Sequence, residues 1–96
     1  MTNREKFALA LYCQAIVETV VECEGAPAGH LFLAFMDTTD AMTFGAWLSM
    51  LVDVGALKRQ GRDFYVAGDK AQAFIDGVNA MKAKVDAAKA AQGGVQ

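Results

Sequence analysis

The sequence predicts a mainly α fold with one small β-hairpin, in the order helix, helix, helix, hairpin, helix. Three observations predict it. Thr43 to Gly55 places apolar residues at helical spacing and stops on a glycine. Leu57 to Arg59 and Phe64 to Ala67 then read as short strands. They are joined by Gln60-Gly61-Arg62-Asp63, where Gly61 supplies a positive φ. Finally, this unit is flanked by two long helix-forming stretches, about 3–24 and 70–92. No internal repeat or long linker divides the chain. It therefore reads as one domain over 1–96, with a middle unit at 26–68.

The first helix, 3–24, starts where Thr2 or Asn3 can accept from free backbone N–H groups, and Glu5 suits the positive end of the helix dipole. Its apolar residues, among them Phe7, Leu9, Leu11, Tyr12, Ile16, Val17, Val20 and Val21, cover more than one stripe. A surface helix shows a single apolar face, so this belt predicts burial on two sides. One side packs on the chain's own domain and the other needs a partner.

Glu24-Gly25-Ala26-Pro27 is a break. Gly25 suits a left-handed C-terminal cap, and Pro27 fits the first position of a second helix, 27–36. That helix carries Leu31, Phe32, Leu33, Phe35 and Met36. Asp37-Thr38-Thr39-Asp40 forms a capping turn. The third helix, 41–54, buries Phe44, Trp47, Leu48, Leu51 and Val52. After the hairpin, Gly68 breaks the chain and Asp69 caps the last helix. There Ala71, Phe74, Val78, Met81, Val85 and Ala88 recur in steps of three and four, the seam of a helix pair. Gly77 and Asn79 weaken it locally, and the tail from Gly93 is frayed.

Bulk properties narrow the function. The chain has 96 residues, 54% of them hydrophobic, with a formal net charge of -2. That much apolar surface is hard for a small domain to bury alone, which predicts a second copy or another partner. The acidic balance argues mildly against nucleic acid, because phosphate neutralisation supplies most non-specific affinity. Cys13 and Cys23 fall on one helix, ~15 Å apart along its axis, too far for a disulfide. They read as two small hydrophobes in a reducing compartment. The apolar run Phe7 to Cys23 is interrupted by Gln14, Glu18 and Glu22 and falls short of the ~20 residues of a membrane span. With no secretory signal visible, a cytoplasmic, soluble chain is expected.

The segment "Leu-Val-Asp-Val-Gly-Ala-Leu-Lys-Arg-Gln-Gly", running from helix into hairpin, is similar to the end of the recognition helix in many winged helix-turn-helix domains. The resemblance covers about 26–68. The flanking helices resemble those of dimeric MarR-type or PadR-type regulators, which implies a homodimer with Phe74, Val78, Met81 and Val85 in its seam. It also implies DNA contact through the third helix and the wing. Here the sequence departs from the pattern. The exposed positions of the third helix, Thr43, Gly45, Ala46, Ser49, Met50 and Asp53, include none of the Arg, Lys, Asn or Gln that usually read base edges. Nucleic-acid contact therefore rests on Lys58, Arg59 and Arg62 of the wing, with Thr43 and Ser49 beside them. A solvated hairpin tip explains the same charges. Gly45, Ala46 and Met50 instead form a small apolar face on which another helix could dock. Cover by the chain's own first or last helix is the competing reading.

Enzyme chemistry finds no support. His30 is the only histidine and has no carboxylate or nucleophile at helical spacing. Gly25-Ala-Pro-Ala-Gly29 lacks the Lys-Ser/Thr of a phosphate loop and the glycine spacing of a dinucleotide site. No metal or cofactor is expected. The leading expectation is a non-enzymatic protein-interaction or adaptor module, homodimeric, on a winged-helix scaffold. The alternative is a DNA-binding transcriptional regulator. Arg4, Lys6 and Lys70 beside the wing would favour the regulator; Glu18, Glu22, Glu24 or Asp53 there would disfavour it. A third possibility is a small-molecule sensor with a pocket between the terminal helices, which an apolar cavity near Tyr12 and Trp47 would support.

Overall fold

The computed structural model describes residues 2–93. Its elements are α1 (Asn3–Cys23), β1 (Ala26–Pro27), α2 (Ala28–Leu33), α3 (Ala41–Asp53), β2 (Leu57–Arg59), β3 (Phe64–Ala67) and α4 (Ala71–Gly93). The fold is mainly helical with a small three-stranded antiparallel sheet. The hairpin strands lie where the sequence puts them, and Gly61 has φ 88. The end of the tail, residues 94–96, lies outside the described residues.

α1 begins with a reciprocal cap. Thr2 Oγ1 accepts from the Glu5 backbone N–H at 3.1 Å, and Glu5 Oε1 accepts from the Thr2 N–H at 3.4 Å. The helix ends on Glu24, which itself takes the left-handed conformation (φ 58), one residue earlier than the glycine predicted for that role. Gly25 follows at φ 121 and is required for another reason: a Cβ there would stand 2.6 Å from the Phe64 ring.

The second correction lies next door. Pro27 does not open a helix. Ala26 and Pro27 form β1, paired with Tyr65 and Phe64 of β3 in a sheet of order β1-β3-β2. The edge position suits proline, which has no N–H to donate. α2 is accordingly shorter than predicted, and Phe35 and Met36 lie in the turns after it.

The core joins Cys13, Ile16, Val17 and Val20 of α1, Phe44, Leu48 and Leu51 of α3, and Leu57 and Tyr65 of the sheet. α1 packs on β3 and α3 on β2. Gly68 crosses the loop at Gly55 so closely that a Cβ on it would meet the Gly55 carbonyl oxygen. This crossing delivers α4 to α1. Gln14 Nε2 donates to Asn79 Oδ1 at 2.7 Å, while Arg4 and Phe7 share a groove with Val85 and Lys89. Residues further back on α1 thus meet residues further on along α4, so the two helices are antiparallel. The molecule measures 53 × 27 × 21 Å along its principal axes.

Candidate functional site

The outward face of α3 is built by the cap below it and the core behind it. Asp40 caps the helix. Its Oδ1 accepts from the Thr43 N–H at 2.8 Å and its Oδ2 from the Thr43 hydroxyl at 3.1 Å. The backbone N–H of Thr43, then its hydroxyl, hold the Asp40 carboxyl below its ordinary value. Burial of Phe44, Leu48 and Leu51 then turns Met42, Gly45, Ala46 and Asp53 to solvent. Met42 is 87% exposed, a large cost for an apolar side chain with no cover in its own chain.

All three predicted docking residues, Gly45, Ala46 and Met50, are exposed. Met50 sits at the edge of this arc, beside a groove lined by Lys6, Leu9, Ala10, Cys13 and Phe74 where α1, α3 and α4 meet. Met50, 37% exposed, is the one of the three that borders a groove shared with the terminal helices. Cys13 borders the same groove. Burial pushes its thiol up to about 11, which keeps it protonated and inert. Both cysteines are free, Cys13 buried and Cys23 exposed.

The opposite edge of the arc is a groove the sequence did not reveal. Ala28, Gly29 and Phe32 of α2 face Ala41, Phe44, Gly45 and Leu48 of α3 across about 210 Å³. Its back wall continues into an aromatic cluster: Phe32 and Phe44 lie 5.2 Å apart, and Phe35, Trp47 and Tyr12 follow. Tyr12 stacks on Trp47 at 5.6 Å and 15°. Leu33, the last residue of α2, and Met36, beyond its end, are 63% and 57% exposed.

The wing residues are dispersed. Lys58, Arg59 and Arg62 are all exposed. Arg59 Nη2 donates to Ser49 Oγ at 3.3 Å, and its guanidinium lies 5.6 Å from the centre of the Tyr65 ring. Both polar groups expected beside the wing are thus engaged, Ser49 with Arg59 and Thr43 with Asp40. Lys70 joins Lys58 in lining one pocket, together with Asp69. Lys6 and Arg4 line other grooves along α1. No Lys or Arg occurs between Lys6 and Lys58.

The α4 seam divides. Val78 is buried within the single chain, Phe74 and Val85 are half-buried, and Met81 is 41% exposed. Among the described residues no group of His, Cys, Asp and Glu could hold a metal ion. No helix among them is long and apolar enough to cross a membrane. Comparison with protein-family models, curated proteins and solved structures finds no match to this chain.

Proposed function

We propose that this is a non-enzymatic protein-interaction module, acting in the cytoplasm as a homodimer on a winged-helix scaffold. The observation that carries the reading is the chemistry of the outward face of α3. It is apolar and small-residued, bare of base-reading side chains, and open to solvent at Met42, Gly45 and Ala46. Exposed apolar surface of this kind marks contact with another protein. The element order, three helices leading into a hairpin whose second strand also pairs with β1, supports the scaffold assignment. A photo-crosslinking side chain at Ala46 tests the docking reading. In extract of the producing cells it should give one discrete adduct, absent when the same group replaces exposed Gln72. No adduct from Ala46 would remove the reading.

The homodimer is supported by α1. Phe7 to Leu11 is apolar around the whole helix circumference, yet each residue is only half-buried. Light scattering should give twice the chain mass, and Met81→Glu should restore the single-chain mass without loss of helix. Val78 is unsuitable for that test, because its burial in the single chain makes a charge there a folding defect. Arg4 and Lys89 line one groove along α1 and Lys6 lines another, with Glu5 between Arg4 and Lys6 in sequence.

The second reading, a DNA-binding regulator, is favoured by one observation: Lys70 lies beside Lys58, extending the basic set of the wing. Affinity for random duplex DNA that falls steeply from about 50 to 200 mM salt, and is lost in a Lys58→Ala, Arg59→Ala, Arg62→Ala triple variant, would select it. Absence of binding at the lowest salt would eliminate it.

A further inference from the structure

We infer that two copies of the chain pair antiparallel along the outward stripe of α1, with Arg4 of each copy on Glu22 of the other and Leu11 seated over Ala15. The inference rests on the homodimer reading and names the face and the orientation of the pair.

Helix geometry sets the face. Arg4, Ala8, Leu11, Ala15, Glu18 and Glu22 recur in steps of four and three, so they fall in one stripe along ~27 Å of α1. The stripe lies opposite the side that buries Cys13, Val17 and Val20. None of its six residues is buried, and Arg4, Ala15 and Glu22 are exposed. α4 packs on the neighbouring flank of α1, through Phe7 and Gln14. The spacing is that of a helix seam. Its centre is Ala8, Leu11 and Ala15, flat enough for another helix to lie close, and its ends are charged.

Charge selects the occupant and its direction. The stripe carries Arg4 at one end and Glu18 and Glu22 at the other. Arg4 and Glu22 stand ~27 Å apart along the axis, too far to pair within one chain. The surroundings keep the same polarity. Glu5 accepts from the Thr2 N–H at the cap, and Lys6 lines the groove beside Met50. On α4, Asp76 is the only charge before Asn79, while Lys82, Lys84 and Lys89 outweigh Asp86 after it. Because α4 runs antiparallel to α1, those lysines lie level with the half that holds Arg4, and Asp76 with the half that holds Glu18. Lys70, just before α4, packs its stem against Gly55 instead. A surface basic at one end and acidic at the other complements itself when reversed, so a second copy is the occupant it fits. Full antiparallel overlap sets Arg4 against Glu22, Ala8 against Glu18 and Leu11 against Ala15, each twice by symmetry. Glu18 is then one turn from the same Arg4, and the large central residue meets a small one. Parallel overlap would stack Glu18 on Glu18 and Glu22 on Glu22.

Sedimentation equilibrium of the full chain and three variants measures the dimer constant. Arg4→Glu and Glu22→Arg should each weaken the dimer about tenfold, because each turns two attractive pairs into repulsive ones. The double variant restores opposite charges and should return the constant close to the parent's. Both single changes suit the helix dipole better than the native residues, so an effect on helix stability alone would run the other way. A second measurement reads the direction. Cys23 is exposed and Cys13 buried, so a nitroxide can be placed on Cys23 alone. Antiparallel overlap sets Cys23 level with Asn3 of the second copy, which separates the two labels by ~30 Å along the axis. Unchanged constants in both single variants, no recovery in the double variant, or labels lying side by side overturns the proposal. If the parent is a dimer in that case, and Met81→Glu separates it, the homodimer reading stands and only the face assigned here falls. A monomeric parent removes both.

Discussion

The two halves of α1 carry similar apolar content and meet opposite fates. From Cys13 to Val20, five side chains are buried: Cys13, Gln14, Ile16, Val17 and Val20. From Phe7 to Tyr12 every residue is apolar, and none is buried. The difference is what stands opposite. The sheet and the inner face of α3 close over the second half. α4 runs along the first half and leaves its other side to solvent. An apolar helix surface therefore becomes core only where a second layer reaches it, and where none does it stays half-exposed.

The largest expected effect tests that contrast directly. Leu51 is fully buried, in the core shared with Ile16 and Val17. Leu51→Ala should cost about 2–5 kcal/mol, the transfer free energy plus an unfilled cavity. Leu11→Ala, in the open half, should cost less than half as much in urea unfolding of dilute protein. A Leu11 penalty that grows with protein concentration would sharpen the comparison, because the dimer would then be covering it. Equal penalties at every concentration would break it.

The boundary between the halves is polar. Gln14 is 5% exposed, and its amide donates to Asn79 of α4. Asn79→Ala leaves that buried donor without its partner and should cost about 1–3 kcal/mol. Adding Gln14→Leu removes the orphaned group and should recover part of the loss. Full additivity of the two changes would show that the pair does not act as a unit.

Local chemistry decides which parts of this fold could be read from the sequence. α3 and the hairpin carry their own signals: a helical stripe, a stop at Gly55, and a turn on Gly61 between apolar runs. α1 likewise announces its start through Thr2 and Glu5. β1 carries no such signal, since two residues have no periodicity and Ala26-Pro27 is a strand only because β3 lies beside it. Proline on an edge strand was the one available clue. Phe35 and Met36 continue an apolar run, which makes α2 look longer in the sequence than it is. Phe35 turns out of the helix to meet Phe44 and Tyr12, a tertiary preference that overrides local pattern. The outward residues of α3 follow from helical geometry. The groove beside them does not, because its other wall is Gly29 and Phe32 of a different element.

Gly45 gives a smaller effect of opposite sign. It lies inside an exposed helix face with open space above it. Gly45→Ala should therefore stabilise the chain by about 0.5–1 kcal/mol. The same methyl enters the mouth of the α2–α3 groove, so it should weaken any partner held there. Higher stability joined to weaker docking is the signature of a position kept for function. Higher stability with unchanged docking would place the partner elsewhere on the face.

The smallest effect lies at the cap that fixes where this face begins. The Asp40 carboxyl is held below its ordinary value of 3.8, chiefly by the Thr43 N–H. A carboxylate with a lowered folded value contributes stability above its unfolded value and loses it as pH falls through the folded one. That contribution is therefore complete above pH 3.8 and disappears below it, and full exposure to solvent keeps it small. Asp40→Asn retains a side-chain oxygen for the Thr43 N–H but cannot titrate. Thermal unfolding of the variant at neutral pH should stay close to that of the parent. Below pH 3.8 the parent should lose stability faster than the variant as the proton is added. Parallel acid limbs would show that the Thr43 cap does not discriminate between the charged and neutral carboxyl. Asp40 would then hold the start of α3 by geometry alone.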